Sequence, residues 1–209
     1  EHGSGVERDR KKAAELYLRA AKLGSVTAQC NLGYCYYVGI GVEPDDRQAA
    51  AWFARAAERG HSRAMNLLGT CYQFGYGVEA DLEKAVLLYR QSADAGYAPA
   101  MCDLGVCYEQ GKGVAQDRER AVELYRQAAE QGFGPGQCNL GYCYYMGIGV
   151  AEDNTLAAHW FARAAEQGIP RAQDLLGACY RGGYGVEQDP RRAAELFQLA
   201  ADSGYLPAL

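Results

Sequence analysis

Between residues 26 and 38 the apolar positions Ala28, Leu32, Cys35 and Tyr36 fall at i, i+4, i+7 and i+8, one stripe of a helix. Ser25 stands just before the stretch, where its hydroxyl can accept from an unpaired N–H, and Gly39 stands just after it. The spacing predicts a helix A from about Val26 to Val38. A second stripe follows, Ala49, Trp52, Phe53 and Ala56, preceded by Asp45 and Asp46 and closed by Gly60. It predicts a helix B capped by one aspartate or the other. β-branched residues are few and never alternate over a run, so no strand is expected.

The pattern then recurs without insertion or deletion. Gly-x-Gly-Val stands at Gly3, Gly39, Gly75, Gly111, Gly147 and Gly183, and every step is 36 residues. Leu-Gly-x-Cys-Tyr keeps the same register, starting at Leu32, Leu68, Leu104, Leu140 and Leu176. Such self-similarity marks an array. One helical hairpin cannot bury both faces alone, so neighbours must stack into a curved solenoid. The array spans 1–209: a partial unit 1–24, full units at about 25–60, 61–96, 97–132, 133–168 and 169–204, and the start of another at 205–209. Gly33 and its equivalents lie inside helix A, where glycine costs roughly 1 kcal/mol relative to alanine. Close approach of the helix B backbone is the expected compensation.

Taken together, Leu-Gly-x-x-Tyr, Gly-x-Gly-Val, the capping Asp, and the Ala-Ala-x-x-Gly that ends helix B resemble the Sel1-like repeat family across essentially the whole chain. That family is the longer relative of the tetratricopeptide repeat. The resemblance implies an all-α, right-handed α-solenoid, a superhelix of 36-residue helix–turn–helix repeats. It also implies a scaffold or adaptor whose concave groove, lined by helix A of each repeat, binds a peptide or partner protein. Cysteine-rich Helicobacter relatives carry disulfides between the two helices of a repeat. No helix B here contains cysteine, so that feature does not transfer.

Which residues would read the partner follows from what varies. Tyr36 recurs as Tyr72, Tyr108, Tyr144 and Tyr180, and is expected in the core. Tyr34 and Tyr37 change from unit to unit, to Thr70 and Gln73, Val106 and Glu109, Tyr142 and Tyr145, then Ala178 and Arg181. Positions that vary beside fixed neighbours are expected to face solvent. Mapped on the resemblance, the groove includes Tyr34, Tyr37, Arg63, Asn66, Gln73, Phe74, Glu109, Tyr142, Tyr145, Arg171 and Arg181, with Cys30, Cys102, Cys138 and Asp174 beside them. Tyrosines would serve as rigid anchors and arginines as contacts for acidic groups. A longer period complicates this: residues 31–60 closely resemble residues 139–168, so block copying alone would also produce the tyrosine pairs.

Charge and chemistry narrow the classes. Twenty-one basic against 26 acidic residues leave a net charge of −5, which argues against nucleic-acid binding. No apolar run approaches the ~20 residues of a membrane span. Gly-x-Gly-Val follows a helix rather than a strand and lacks Lys-Ser/Thr, so it reads as a structural loop and not a phosphate cradle. The eight cysteines are expected as small buried hydrophobes: same-position thiols in stacked helices lie about 9–10 Å apart, too far to bridge. A bridge between units, such as Cys71 with Cys102, stays open. Unpaired thiols favour a cytoplasmic setting, with a secreted or periplasmic one as the alternative. Without Cys-x-x-Cys, and with His2, His61 and His159 in unrelated repeat positions, neither a metal, a cofactor nor an enzyme is expected. The rival readings are an end-to-end self-associating module, through faces such as those of Leu16, Tyr17 and Leu206, and a binder of small molecules or cell-wall fragments.

Overall fold

The computed structural model describes residues 9–205. The loop at Gly3, and with it His2 and Leu206, lie outside the described residues. Among the described residues are eleven helices and no strand. Contacts divide the chain into two compact units, Glu1–Ala100 and Met101–Leu209.

The first unit holds α1 (Arg10–Lys22), α2 (Val26–Val38), α3 (Asp46–Ala57), α4 (Ser62–Phe74) and α5 (Leu82–Asp94). α6 (Ala98–Gln110) begins at the junction; α7 (Arg118–Glu130), α8 (Gly134–Met146), α9 (Asn154–Glu166), α10 (Pro170–Gly182) and α11 (Pro190–Asp202) complete the second. Even-numbered helices are A helices, and odd-numbered ones are B helices.

Local chemistry sets the boundaries. Ser25 accepts from the Ala28 N–H, as expected, and Gly39 closes α2 at φ 74°, its N–H and that of Ile40 both donating to the Cys35 carbonyl. Of the two candidate caps for α3, Asp45 serves: its backbone is extended at φ −151°, and its carboxylate accepts from the Gln48 N–H at 3.0 Å. Its own N–H donates to the Tyr36 carbonyl at 2.9 Å, tying the loop back to α2. The same N–H links Asp81 to Tyr72, Asp117 to Tyr108, Asp153 to Tyr144 and Asp189 to Tyr180. One capping residue per repeat therefore closes both the loop and the helix.

The loop also sets the spacing to the preceding repeat. Gly41 has φ 71°, and a Cβ there would collide with the Arg10 carbonyl at the start of α1. Gly77 meets the Asp46 carbonyl in the same way, Gly149 that of Arg118, and Gly185 that of Asn154. These four second loop glycines each press on the first turn of the preceding B helix.

Within a repeat, the glycine inside helix A receives an aromatic ring. A Cβ on Gly33 would lie 2.7 Å from the Phe53 ring and 3.2 Å from the Ala49 carbonyl. Helix B does approach there, but the ring, not the backbone, is nearest. Tyr89 on Gly69, Tyr125 on Gly105 and Phe161 on Gly141 repeat the contact. These four rings are fully buried. Burying such a side chain contributes about 1.5–3 kcal/mol, which offsets the glycine. Small residues fill the space around them, Ala49, Ala50, Ala56 and Cys71 in the first unit and Ala157, Ala158 and Cys179 in the second.

Tyr36 and its equivalents depart from the expected core position. Tyr108 is buried, but Tyr36, Tyr72, Tyr144 and Tyr180 are half-buried. Each ring lies at the edge of the core, where helix B can cover it with a cation: Lys84 Nζ stands 5.4 Å from the Tyr72 ring centre, and the Arg192 guanidinium 5.6 Å from that of Tyr180. Leu16 is exposed and Tyr17 half-buried.

Candidate functional site

The residues proposed from sequence to line helix A fall into three kinds of position. The first is buried. Asn66 is only 6% exposed, and Cys30, Cys102 and Cys138 share its place in the repeat and its burial. Asn66 and these cysteines therefore do not line an open surface, contrary to expectation. Cys138 shows why: it packs with Ala164 and Ala172, in the joint between one repeat and the next. In the last repeat the position is Asp174, half-buried, whose carboxyl is pushed up by burial while Arg181 draws it down.

A second position, that of Tyr37, Gln73, Glu109, Tyr145 and Arg181, is coupled to the helix B ring that lies on the internal glycine. The Tyr89 hydroxyl donates to Gln73 Oε1 at 2.7 Å, and the Tyr125 hydroxyl to Glu109 Oε2 at 2.7 Å. Where helix B carries phenylalanine, no hydroxyl needs an acceptor. Tyr145 then meets Phe161 edge-on at 6.3 Å, Arg181 stands 5.3 Å over Phe197, and Tyr37 packs on the cluster that contains Phe53. The variation once read as freedom from packing thus follows the partner sixteen residues on. All but the exposed Arg181 are half-buried, neither core nor open surface.

The third position gathers the remaining residues into clusters. In the first unit the Arg63 guanidinium lies 5.0 Å over the Tyr34 ring. Tyr34 and Tyr37 are 6.5 Å apart, Tyr37 and Tyr76 5.9 Å, and Phe74 stacks on Tyr76 at 5.6 Å. Phe74 is 58% exposed and Tyr76 37%. The second unit rebuilds part of the arrangement, with Gly182 where Phe74 stands in the first. Arg171 lies 4.8 Å over Tyr142, and Tyr145 meets Tyr184 at 6.1 Å, with Tyr184 47% exposed. Tyr76 and Tyr184 escaped the sequence reading because they stand inside the loop assigned to structure. Their signal was the residue between the two glycines, which runs Ser, Ile, Tyr, Lys, Ile, Tyr while the glycines stay fixed.

Arg171 also donates to Asn139 Oδ1 at 3.0 Å. Ion pairs join Lys84 to Asp81, Arg126 to Glu123, Arg191 to Glu195 and Arg192 to Asp189. Arg63, Arg171 and Arg181 are in none of them.

Elsewhere the chemistry is structural. His61 caps α4, its Nδ1 accepting from the Ala64 N–H at 3.3 Å, and burial lowers its pKa. All eight cysteines are buried and unpaired. Burial pushes Cys71, Cys107, Cys138 and Cys179 up to about 11, and Cys102 and Cys143 up to about 12. Among the described residues, no group of three or more His, Cys, Asp or Glu side chains could hold a metal ion, and no helix is long and apolar enough to cross a membrane. An open cleft of about 610 Å³ between α3, α4 and α5 is lined in part by Met65, Leu68, Leu87 and Leu88. Leu87 becomes Ala51, Glu123, His159 and Glu195 in the other repeats, so the cleft is not a repeated feature.

These elements define an array of helical hairpins joined by double-glycine loops. The chain belongs to the Sel1 repeat family, whose pattern matches residues 1–25, 26–61, 62–97, 98–133, 134–169 and 170–205. It is similar to the crystal structure of c5321, a protective antigen of uropathogenic Escherichia coli with an SLR fold: 39% identity, TM-score 0.82, covering 91% of this chain and 41% of that one. The chain thus spans less than half of that antigen. A Sel1 repeat protein of Oxalobacter formigenes is 30% identical, with a TM-score of 0.80 over 95% of this chain and 84% of its own. The immunity protein Pa5087 of Pseudomonas aeruginosa shares the fold, at 21% identity and a TM-score of 0.65 over 95% of this chain and 76% of its own. No curated protein matches in sequence. The family is an all-helical, non-catalytic solenoid generally used for protein–protein interaction.

Proposed function

We propose that the chain is an interaction scaffold that binds a peptide or partner protein along its A helices, with Tyr34, Tyr37, Phe74, Tyr142 and Tyr145 as anchors and Arg63, Arg171 and Arg181 as acid-seeking contacts. The observation that carries this reading is the pairing of half-buried tyrosine rings with guanidinium groups that, among the described residues, have no carboxylate in ion-pair reach. Rings of this kind give large contact area at little ordering cost, and a preformed helical face spares the partner that cost too. Gln73 and Glu109 act chiefly by holding Tyr89 and Tyr125, so their part in recognition is indirect. Asn66 shapes the joint between repeats rather than meeting the partner.

The test compares immobilised wild-type chain with a Tyr37→Ala/Tyr145→Ala variant as bait in extract of the source cells. Proteins held by the wild type and lost by the variant support the reading. An identical set on both baits removes it.

A further inference from the structure

The two clusters are related by a shift of 108 residues: Tyr34 corresponds to Tyr142, Tyr37 to Tyr145, Arg63 to Arg171, and Tyr76 to Tyr184. The repeats between do not continue them. At the Arg63 position stand Pro99 and Pro135, at the Tyr34 position Thr70 and Val106, and at the Tyr76 position Lys112 and Ile148. The features form two discrete patches, not a stripe along every repeat.

Each patch has the same internal order. A guanidinium lies with its carbon 5.0 Å or 4.8 Å from the centre of a tyrosine ring that comes from the preceding A helix. A guanidinium held over a ring by cation–π attraction keeps N–H donors for a planar acceptor. Among the described residues, neither guanidinium is in an ion pair with a carboxylate, although acidic residues outnumber basic ones 26 to 21. In the second patch one N–H is fixed by Asn139, which orients the remaining donors. Exposed apolar surface lies further along each patch: Phe74 and Tyr76, reached from Tyr34 through Tyr37, in one, and Tyr184, against Tyr145, in the other.

We propose that the chain carries two equivalent subsites, one in each unit, and that each takes an acidic segment of a protein partner: one carboxylate on Arg63 or Arg171, and an apolar side chain elsewhere in the segment on the exposed aromatic surface of the same patch. The proposal rests on the A-helix reading above and adds the ligand chemistry and the count. Charge complementarity chooses the occupant, because a guanidinium without a carboxylate partner, in a patch that also exposes aromatic surface, matches a segment that carries both a carboxylate and an apolar side chain.

A random peptide library selected on the full chain provides the probe, and titration calorimetry of the best peptide counts the sites. The expected result is an enriched set that combines Asp or Glu with apolar residues, bound at two per chain. Arg63→Gln and Arg171→Gln should each leave one site. The double variant, or the peptide with its acids changed to Asn or Gln, should lose roughly tenfold or more in affinity. Arg63→Lys keeps the charge but not the planar fork, so it should weaken that subsite without removing it, which separates recognition from misfolding. One peptide per chain, a count untouched by either arginine replacement, or an enriched set without acids overturns the two-subsite proposal. If such peptides still need Tyr37 and Tyr145, the A-helix reading survives that failure. If no peptide is enriched, or binding ignores those tyrosines, both fall.

Discussion

The Tyr125 hydroxyl donates to Glu109 Oε2 at 2.7 Å, across the internal Gly105 on which the Tyr125 ring lies. One side chain therefore fills the glycine notch and fixes a residue on the A-helix surface. Tyr125→Phe keeps the ring and removes the donor. It should cost about 1.5 kcal/mol, the low end for a hydrogen bond to a charged group. Chemical denaturation of the wild type, Tyr125→Phe, Glu109→Gln and the double variant closes a cycle, in which a coupling of at least about 0.5 kcal/mol is expected. Additive losses would show that the two residues do not act together.

Gly141→Ala places a methyl 2.7 Å from the buried Phe161 ring. Removing a helical glycine returns up to about 1 kcal/mol, whereas overpacking a fixed ring costs about 1–3 kcal/mol. The net outcome is a lower melting temperature. Adding Phe161→Leu, which frees the notch, should make the alanine neutral or favourable; a stabilised single variant would contradict the ring-on-glycine packing.

Gly147 and Gly149 have nearly the same backbone, φ 63° and φ 66°. Alanine at either pays about 1–2 kcal/mol for the left-handed conformation. At Gly147 the nearest atom to the new methyl would be 3.7 Å away, but at Gly149 it would strike the Arg118 carbonyl. Gly149→Ala should therefore be clearly the more destabilising of the two in thermal melts. Equal losses would mean that the loop does not press on the preceding repeat.

Alkaline pH should loosen the fold. Burial raises six thiols from the ordinary 9.0 to between about 11 and about 12, so each favours the folded state while the folded thiol stays protonated. Their contribution is complete below about pH 9 and is lost as pH rises towards 12, because the unfolded chain releases those protons first. Denaturant midpoints should fall across this window, less steeply in a Cys102→Ala/Cys138→Ala variant. Below pH 9 a thiol reagent should label the native chain slowly and reach all eight cysteines only after denaturation.

Much of the fold was legible in sequence because its determinants are local and recur. The Ser25 cap, the Gly39 stop and the bounds of α2 follow from residues beside them in the chain. The choice of Asp45 over Asp46 did not, since it turns on a backbone bond to Tyr36. The site was less legible, because its variable residues answer to partners elsewhere. Gln73 and Glu109 looked unconstrained until Tyr89 and Tyr125 were seen to reach them. Asn66 looked polar enough for solvent, yet its position lies in a helix joint. Tyr76 was hidden by the regularity of its own loop, whose glycines drew all the structural weight.

The abutment of Gly41 on α1, and of Gly77 on α3, works as a gauge block between consecutive hairpins. A hairpin lengthened or shortened by a few residues would no longer seat, whereas a whole additional one would. Gain or loss of a complete module is thus the change in length that this contact tolerates, and a doubled tyrosine patch is what the gain of such modules would leave.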